Sequence, residues 1–338
     1  AISYSKTHFQ NLDNKLQGCS DLPIYYGPMA IVKDGKKYFK NTLDIIHEIS
    51  GKKKNDILKN PTINIESYAL SLKNLANNSD YIYDYISAIK ILNELPNNTN
   101  LQQYAKDSEL YSILILLNRK SFMQQFGYRT IEIDLQKVFG KNLKVLSARK
   151  IFISANDIYN KNGENYKSTC SDYALAIWAP ANSSNYSSRN GTTITDVTIH
   201  TIQGTYASCI SWFQNPSANV SAHYVIRSFD GQVTQMVCES DKGWHVGSEN
   251  SYTIGIEHEG FVNDPTWLTD SMYDSSADLV RDITTSGYTI NPKSVYRGSY
   301  QGVINSCYHI KGHVHFPNQS HTNPGVHWDW NKYYHLIN

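Results

Sequence analysis

The chain has 338 residues, a formal net charge of +1 and 18% charged residues. That length allows two domains of ordinary size, each with its own core, and the near-neutral charge removes any global electrostatic reason to bind nucleic acid or an anionic membrane. No apolar run approaches the roughly 20 residues a membrane span needs, the longest being Leu110 to Leu117. The 25 tyrosines and the many asparagines suit carbohydrate contacts, and equally a biased genome. Ala1 is a small residue with no initiator Met, as a cleaved export signal would leave, which makes a secreted or periplasmic protein the expectation; a trimmed chain would start the same way. Five cysteines (Cys19, Cys170, Cys209, Cys238 and Cys307) are too few for a disulfide scaffold and form no CxxC pair.

Residues 1–167 read as a mainly α-helical domain. Asn41–Ser50 opens on an Asn-Thr cap signal and repeats apolar residues at Leu43, Ile45, Ile46 and Ile49, a helical spacing. Further helices are expected over Ile65–Ala76, Tyr81–Leu95 and Leu101–Gln125, with breaks at Pro61, at Pro96-Asn97-Asn98 and at Gly127. Thr130–Leu135 alternates like a short strand, and Lys52–Lys54 reads as a solvated helix end. This half holds no catalytic motif; a binding or partner-docking role, suggested by what it is attached to, is the hypothesis for it.

Residues 168–338 read as an α/β domain, a mixed central sheet flanked by helices. Tyr173–Ala181 is a lead-in strand or extended arm, and the Ser- and Asn-rich Ala181–Thr193 a surface loop. In Asp196–Gly204, alternation puts Val197 and Ile199 on one face, with Thr198 and His200 on the other. A helix follows around Ala207–Gln214. Ser221–Val237 forms two alternating runs joined by Phe229-Asp230-Gly231, a hairpin signal. Thr253–Gly260 is the next strand and Ser275–Ser286 a helix. On Thr253–Gly260, Glu257 shares a face with Gly255 and Glu259, opposite Ile254, Ile256 and His258.

The motifs then fall in a fixed order: the strand ending in His200, SAHYVIRSFDGQV, WHVG at Trp244–Gly247, IGIEHEG, Gly312-His313, and TNPG at Thr322–Gly325. Together they resemble the zinc-dependent N-acetylmuramoyl-L-alanine amidases of type 2, over about residues 173–338. The resemblance implies a peptidoglycan substrate and a zinc cofactor. It places the metal ligands at His200, His313 and Asn323, the general base at Glu257 and an oxyanion-supporting residue at His321.

The chemistry has its own logic. Amide hydrolysis at neutral pH needs an activated water and a sink for the carbonyl's charge, and zinc with three protein ligands supplies both. Asn323 departs from the Asp or Cys usual at its position, and an amide oxygen binds zinc weakly. Three explanations stay open: an Asp replaced to trap substrate, a natural variant with weakened metal, or a shell completed by His315, His321, His327 or Asp329. A non-catalytic peptidoglycan-binding protein is the alternative function, and a toxin directed at other bacteria a third.

Other residues carry competing readings. Trp244 and His245 line a glycan cleft or pack as core, and His223 is structural, behind the site. Trp328 and Trp330 are packing anchors. Glu259 competes with Glu257 as base, a Cys209–Cys238 bridge is conceivable, and Cys307 is an outside ligand candidate.

Overall fold

The computed structural model describes residues 1–13, 22–148, 170, 172–304 and 307–338. It divides into two compact units, Ala1–Gln17 with Pro23–Leu146, and Gly18–Leu22 with Ser147–Asn338. The expected domain boundary at 167/168 and Cys19 lie outside the described residues.

The first unit is helical apart from a small hairpin. Its elements are α1 (Ile2–Thr7), β1 (Tyr25–Tyr26), β2 (Ile31–Val32), α2 (Thr42–Ser50), α3 (Lys54–Lys59), α4 (Pro61–Leu75), α5 (Ile82–Leu92), α6 (Asn100–Asn118), α7 (Lys120–Gln125), α8 (Leu135–Phe139) and α9 (Leu143–Leu146). Asn41 caps α2 and Gly51 ends it at φ 69°; only glycine enters that region without a Cβ penalty. Pro61 sits at the start of α4, where its missing N–H costs nothing. Thr99 and Gln102 form a capping box on α6. Leu43, Ile46, Ile57, Tyr68 and Leu92 meet Met29 and Ile31 in the core.

Two expectations here are corrected. Leu101–Gln125 is two helices, because the Asn118 side chain leaves α6 to bind the backbone of Ile133, accepting from its N–H and donating to its carbonyl, both at 2.9 Å. That same bracket uses up the groups a strand would need, so Thr130–Leu135 forms none, and Asp134 instead caps α8. Lys54 and Lys52 pair with Asp44 and Glu66 at the surface, at 2.5 and 3.7 Å. Inside, Lys6 is buried between Glu94 at 2.6 Å and Glu109 at 2.9 Å, tying α1 to α6 and to the end of α5.

The second unit is built on a six-stranded sheet of order β10-β5-β9-β6-β7-β3. Its strands are β3 (Ile177–Trp178), β5 (Asp196–Thr201), β6 (Tyr224–Ile226), β7 (Val233–Gln235), β9 (Thr253–His258) and β10 (Ile310–Gly312). All neighbours are parallel except the β6–β7 hairpin. Gly231 makes that hairpin's turn at φ 74°, and a Cβ there would lie 2.3 Å from the Ser271 carbonyl. Val197, Ile199, Ile254, Ile256 and Ile310 project from one face into a core closed by α11 (Asp270–Thr285) and α12 (Trp330–Ile337), with Trp328 and Trp330 packed there. α10 (Tyr206–Phe213) packs against β6.

The Ser- and Asn-rich loop is not plain surface. It contains β4 (Tyr186–Ser188), paired antiparallel with β8 (Asp241–Gly243), and then buries Arg189. Cys238 is disulfide-bonded to Cys170. This replaces the bridge to Cys209, which lies buried in α10.

Candidate active site

Strand register brings the first two site residues together. His200 in β5 and Glu257 in β9 are direct partners in a parallel ladder, so their side chains leave the same face of the sheet. His200 Nδ1 lies 3.9 Å from Glu257 Oε1, and both residues are buried. β10 flanks β5 on the other side, and its last residue, Gly312, leads into His313. The His313 ring centroid is 4.8 Å from that of His200 and 4.7 Å from that of His321.

Asn323 joins this group through the backbone. Its carbonyl accepts from the Val314 N–H at 3.0 Å, and the next carbonyl, that of Pro324, accepts from Thr201 Oγ1 at 3.1 Å. The Asn323–Pro324 peptide is cis. Gly312 leaves room for this segment, since a Cβ there would lie 2.3 Å from Pro324 Cδ.

From His200 the run of imidazoles continues to His245 and His223. His200 Nε2 lies 3.0 Å from His245 Nδ1, and His245 Nε2 lies 3.3 Å from Thr253 Oγ1. The His245 ring occupies space left by Gly255, where a Cβ would come within 2.6 Å of it. His223 sits deeper: its Nδ1 accepts from the Gly255 N–H at 3.0 Å and its Nε2 faces Arg189 Nη2 at 2.8 Å. Arg189 also donates to the carbonyls of Glu239, Ser251 and Thr253, each at 2.7 Å. Sequence reasoning missed both Arg189 and the His245–His200 contact. The one signal for the latter was a glycine in mid-strand, which marks the close approach of another group.

The rival candidates are engaged elsewhere. His315 accepts from the Gly312 N–H with Nδ1 at 3.0 Å, and its Nε2 lies 2.9 Å from the Tyr300 carbonyl. Asp329 caps α12, and His327 and Cys307 are exposed. Glu259 lies beyond the end of β9 and accepts from the N–H groups of Tyr206 and Ser228, both at 2.8 Å, as a structural clamp. His321 is the remaining neighbour of His313.

Above these residues opens a cleft of about 510 Å³, lined among others by Trp244, His245, His313, Gln319 and His321. Gln319 Oε1 lies 2.6 Å from His313 Nε2, and Trp244 Nε1 donates to Ser187 Oγ at 3.2 Å.

Burial dominates the electrostatics. It holds His200 and His245 well below the ordinary imidazole range, with the neighbouring imidazoles adding to the effect, and it takes His313 to about 4. It pushes the Glu257 carboxyl up to about 8. Among the described residues, neither His200 Nδ1 nor Glu257 Oε2 has a hydrogen-bond partner. Neutral imidazoles with a buried ring nitrogen left over, beside a buried carboxyl group, fit a divalent cation of the zinc type.

The mixed α/β sheet carries this cluster beside an open cleft that His245, His313 and His321 line, an arrangement suited to a hydrolytic enzyme. The chain belongs to the N-acetylmuramoyl-L-alanine amidase family. The family model of that description matches residues 190–326. The chain is 44% identical over 171 residues to the N-acetylmuramoyl-L-alanine amidase A of Achromobacter lyticus, spanning 49% of this chain and 96% of that protein. It is 30% identical over 122 residues to the 1,6-anhydro-N-acetylmuramyl-L-alanine amidase AmpD of Haemophilus influenzae, which covers 34% of this chain and 56% of that one. Among solved structures, a selenomethionine AmpD derivative is similar over 49% of this chain and 96% of its own, at 22% identity and a TM-score of 0.39.

Proposed function

We propose that residues 168–338 form a zinc-dependent amidase domain that cuts the amide between the lactyl group of N-acetylmuramic acid and the first L-alanine of the peptidoglycan stem. His200, His313 and Asn323 would hold the metal. A zinc ion there supplies a Lewis acid for the amide carbonyl and a water of lowered pKa.

The chain's own residues do the rest. Glu257 takes the proton from the attacking water and returns it to the leaving amine, and a neighbouring cation favours its ionised form against the desolvation that raises it. His321, beside His313 at the cleft wall, donates to the carbonyl oxygen as negative charge builds there. His245 holds the ring of His200 in orientation, and Trp244 offers a flat apolar wall to the sugar. Such a substrate places the protein outside the cytoplasm, in the periplasm or secreted.

The observation that carries this reading is the parallel pairing of His200 with Glu257 while His313 approaches from the next strand. Incubating the metal-loaded protein with purified peptidoglycan tests it. New alanine amino termini support hydrolysis. Retention on the wall without release favours the second reading, a non-catalytic peptidoglycan-binding protein, to which the neutral Asn323 points.

A further inference from the structure

The helical unit carries a cavity of about 410 Å³ walled by α5, α6 and the segment through Lys40. Lys40, Lys90 and Lys106 line it against a single lining carboxylate, Asp107. That carboxylate is already occupied, by Gln103 Nε2 at 2.8 Å and Asn142 Nδ2 at 3.4 Å.

Lys106 is the informative residue. It lies on α6 and is only 7% exposed, yet among the described residues no carboxylate comes within ion-pair distance of it. Glu94 and Glu109 attract it electrostatically, but both are bound to Lys6, and Asn93 Nδ2 donates to Glu109 at 2.5 Å. Lys40 repels it electrostatically, and the Lys40 Nζ reaches the Ile91 carbonyl at 3.5 Å. Buried charges persist in proteins when something compensates them; Glu94 and Glu109 offset Lys106 from beyond ion-pair distance, while Lys40 and Lys90 add positive charge that, among the lining residues, Asp107 alone opposes.

We propose that this cavity is a binding site for a small organic anion, whose carboxylate or phosphate group is held by Lys106 and Lys40 with Lys90 at the mouth. Ile89 and Leu110 in the wall suit a carbon skeleton, and the volume matches that of ordinary small-molecule sites. Burial first, then the charge of Lys40, brings Lys106 down to about 8. The charged groups around it are Lys6, Lys40, Lys90, Glu94, Asp107 and Glu109. An anion favours the protonated amine, so binding weakens as pH rises past about 8.

The test is calorimetric titration of the full chain with inorganic phosphate and, separately, with succinate. Saturable one-to-one binding of either probe is expected, and which one binds separates phosphate from carboxylate recognition. Lys106→Met keeps the buried stem while removing the charge; it should weaken binding about tenfold or more. Its thermal midpoint checks folding, and Lys40→Met carries the comparison should Lys106→Met fail to fold. The proposal is overturned if neither probe binds saturably, or if the folded variants bind like the parent protein.

Discussion

His200 and Glu257 are directly opposite each other on adjacent parallel strands, with Nδ1 and Oε1 3.9 Å apart. Because one ladder sets both positions, the distance between imidazole and carboxylate is fixed by backbone hydrogen bonds and not by loop conformation. The third member, His313, follows directly on the neighbouring ladder, whose last pair is Gly312 with Ile199.

Glu257→Gln separates proton transfer from folding. The amide keeps the shape and loses the base, so peptidoglycan hydrolysis should fall by about 10²–10⁴-fold. Thermal stability near neutral pH should hold or rise, since no carboxylate remains to be desolvated. Amine release within about tenfold of the parent would move the base elsewhere.

Asn323→Asp is expected to tighten zinc and raise turnover, a charged oxygen replacing a neutral one at a ligand position. Metal content by atomic emission and amine release should both increase. If both stay unchanged, position 323 is not a ligand.

His245 contacts His200 on one side and the cleft on the other, and kinetics distinguish the two roles. A positioning role predicts that His245→Ala lowers kcat or metal affinity by about 10–100-fold with KM little changed, and that His245→Gln recovers part of the loss. A rise in KM alone would make it a substrate contact.

His258 governs part of the acid stability. It is buried between Ser276 Oγ at 2.8 Å and the His200 carbonyl at 2.9 Å, and burial takes its pKa down to about 4. The unfolded chain binds the proton at about 6.5 and the folded one does not until about 4. This group's contribution is therefore complete above the upper value and is lost as pH falls through that window, at up to about 1.4 kcal/mol per pH unit. Urea unfolding of the parent and of His258→Asn across the window should show a shallower acid slope in the variant; equal slopes would refute the assignment.

The strand faces were legible because period two leaves little freedom: Val197, Ile199, Ile254 and Ile256 had to be buried together, which turned His200 and Glu257 the other way. The ordered motifs supplied His313 and Asn323. Arg189 was hidden by its setting, a Ser- and Asn-rich stretch whose polarity reads as surface. Its burial depends on carbonyls some 50 to 64 residues away, and no local pattern encodes them. The break after Asn118 and the loss of the strand at Thr130–Leu135 share one cause, a side chain bonding to distant backbone. The Cys170–Cys238 pairing followed the path of the chain, which spacing alone does not reveal.

The most direct measurement is anomalous scattering at the zinc edge from crystals of the full chain grown with the metal. A single dominant peak within about 2.0–2.1 Å of an imidazole nitrogen of both His200 and His313 is the predicted result. A zinc-loaded crystal in which the metal lies away from this pair, with His200 and His313 still facing each other and nothing between them, would contradict the account.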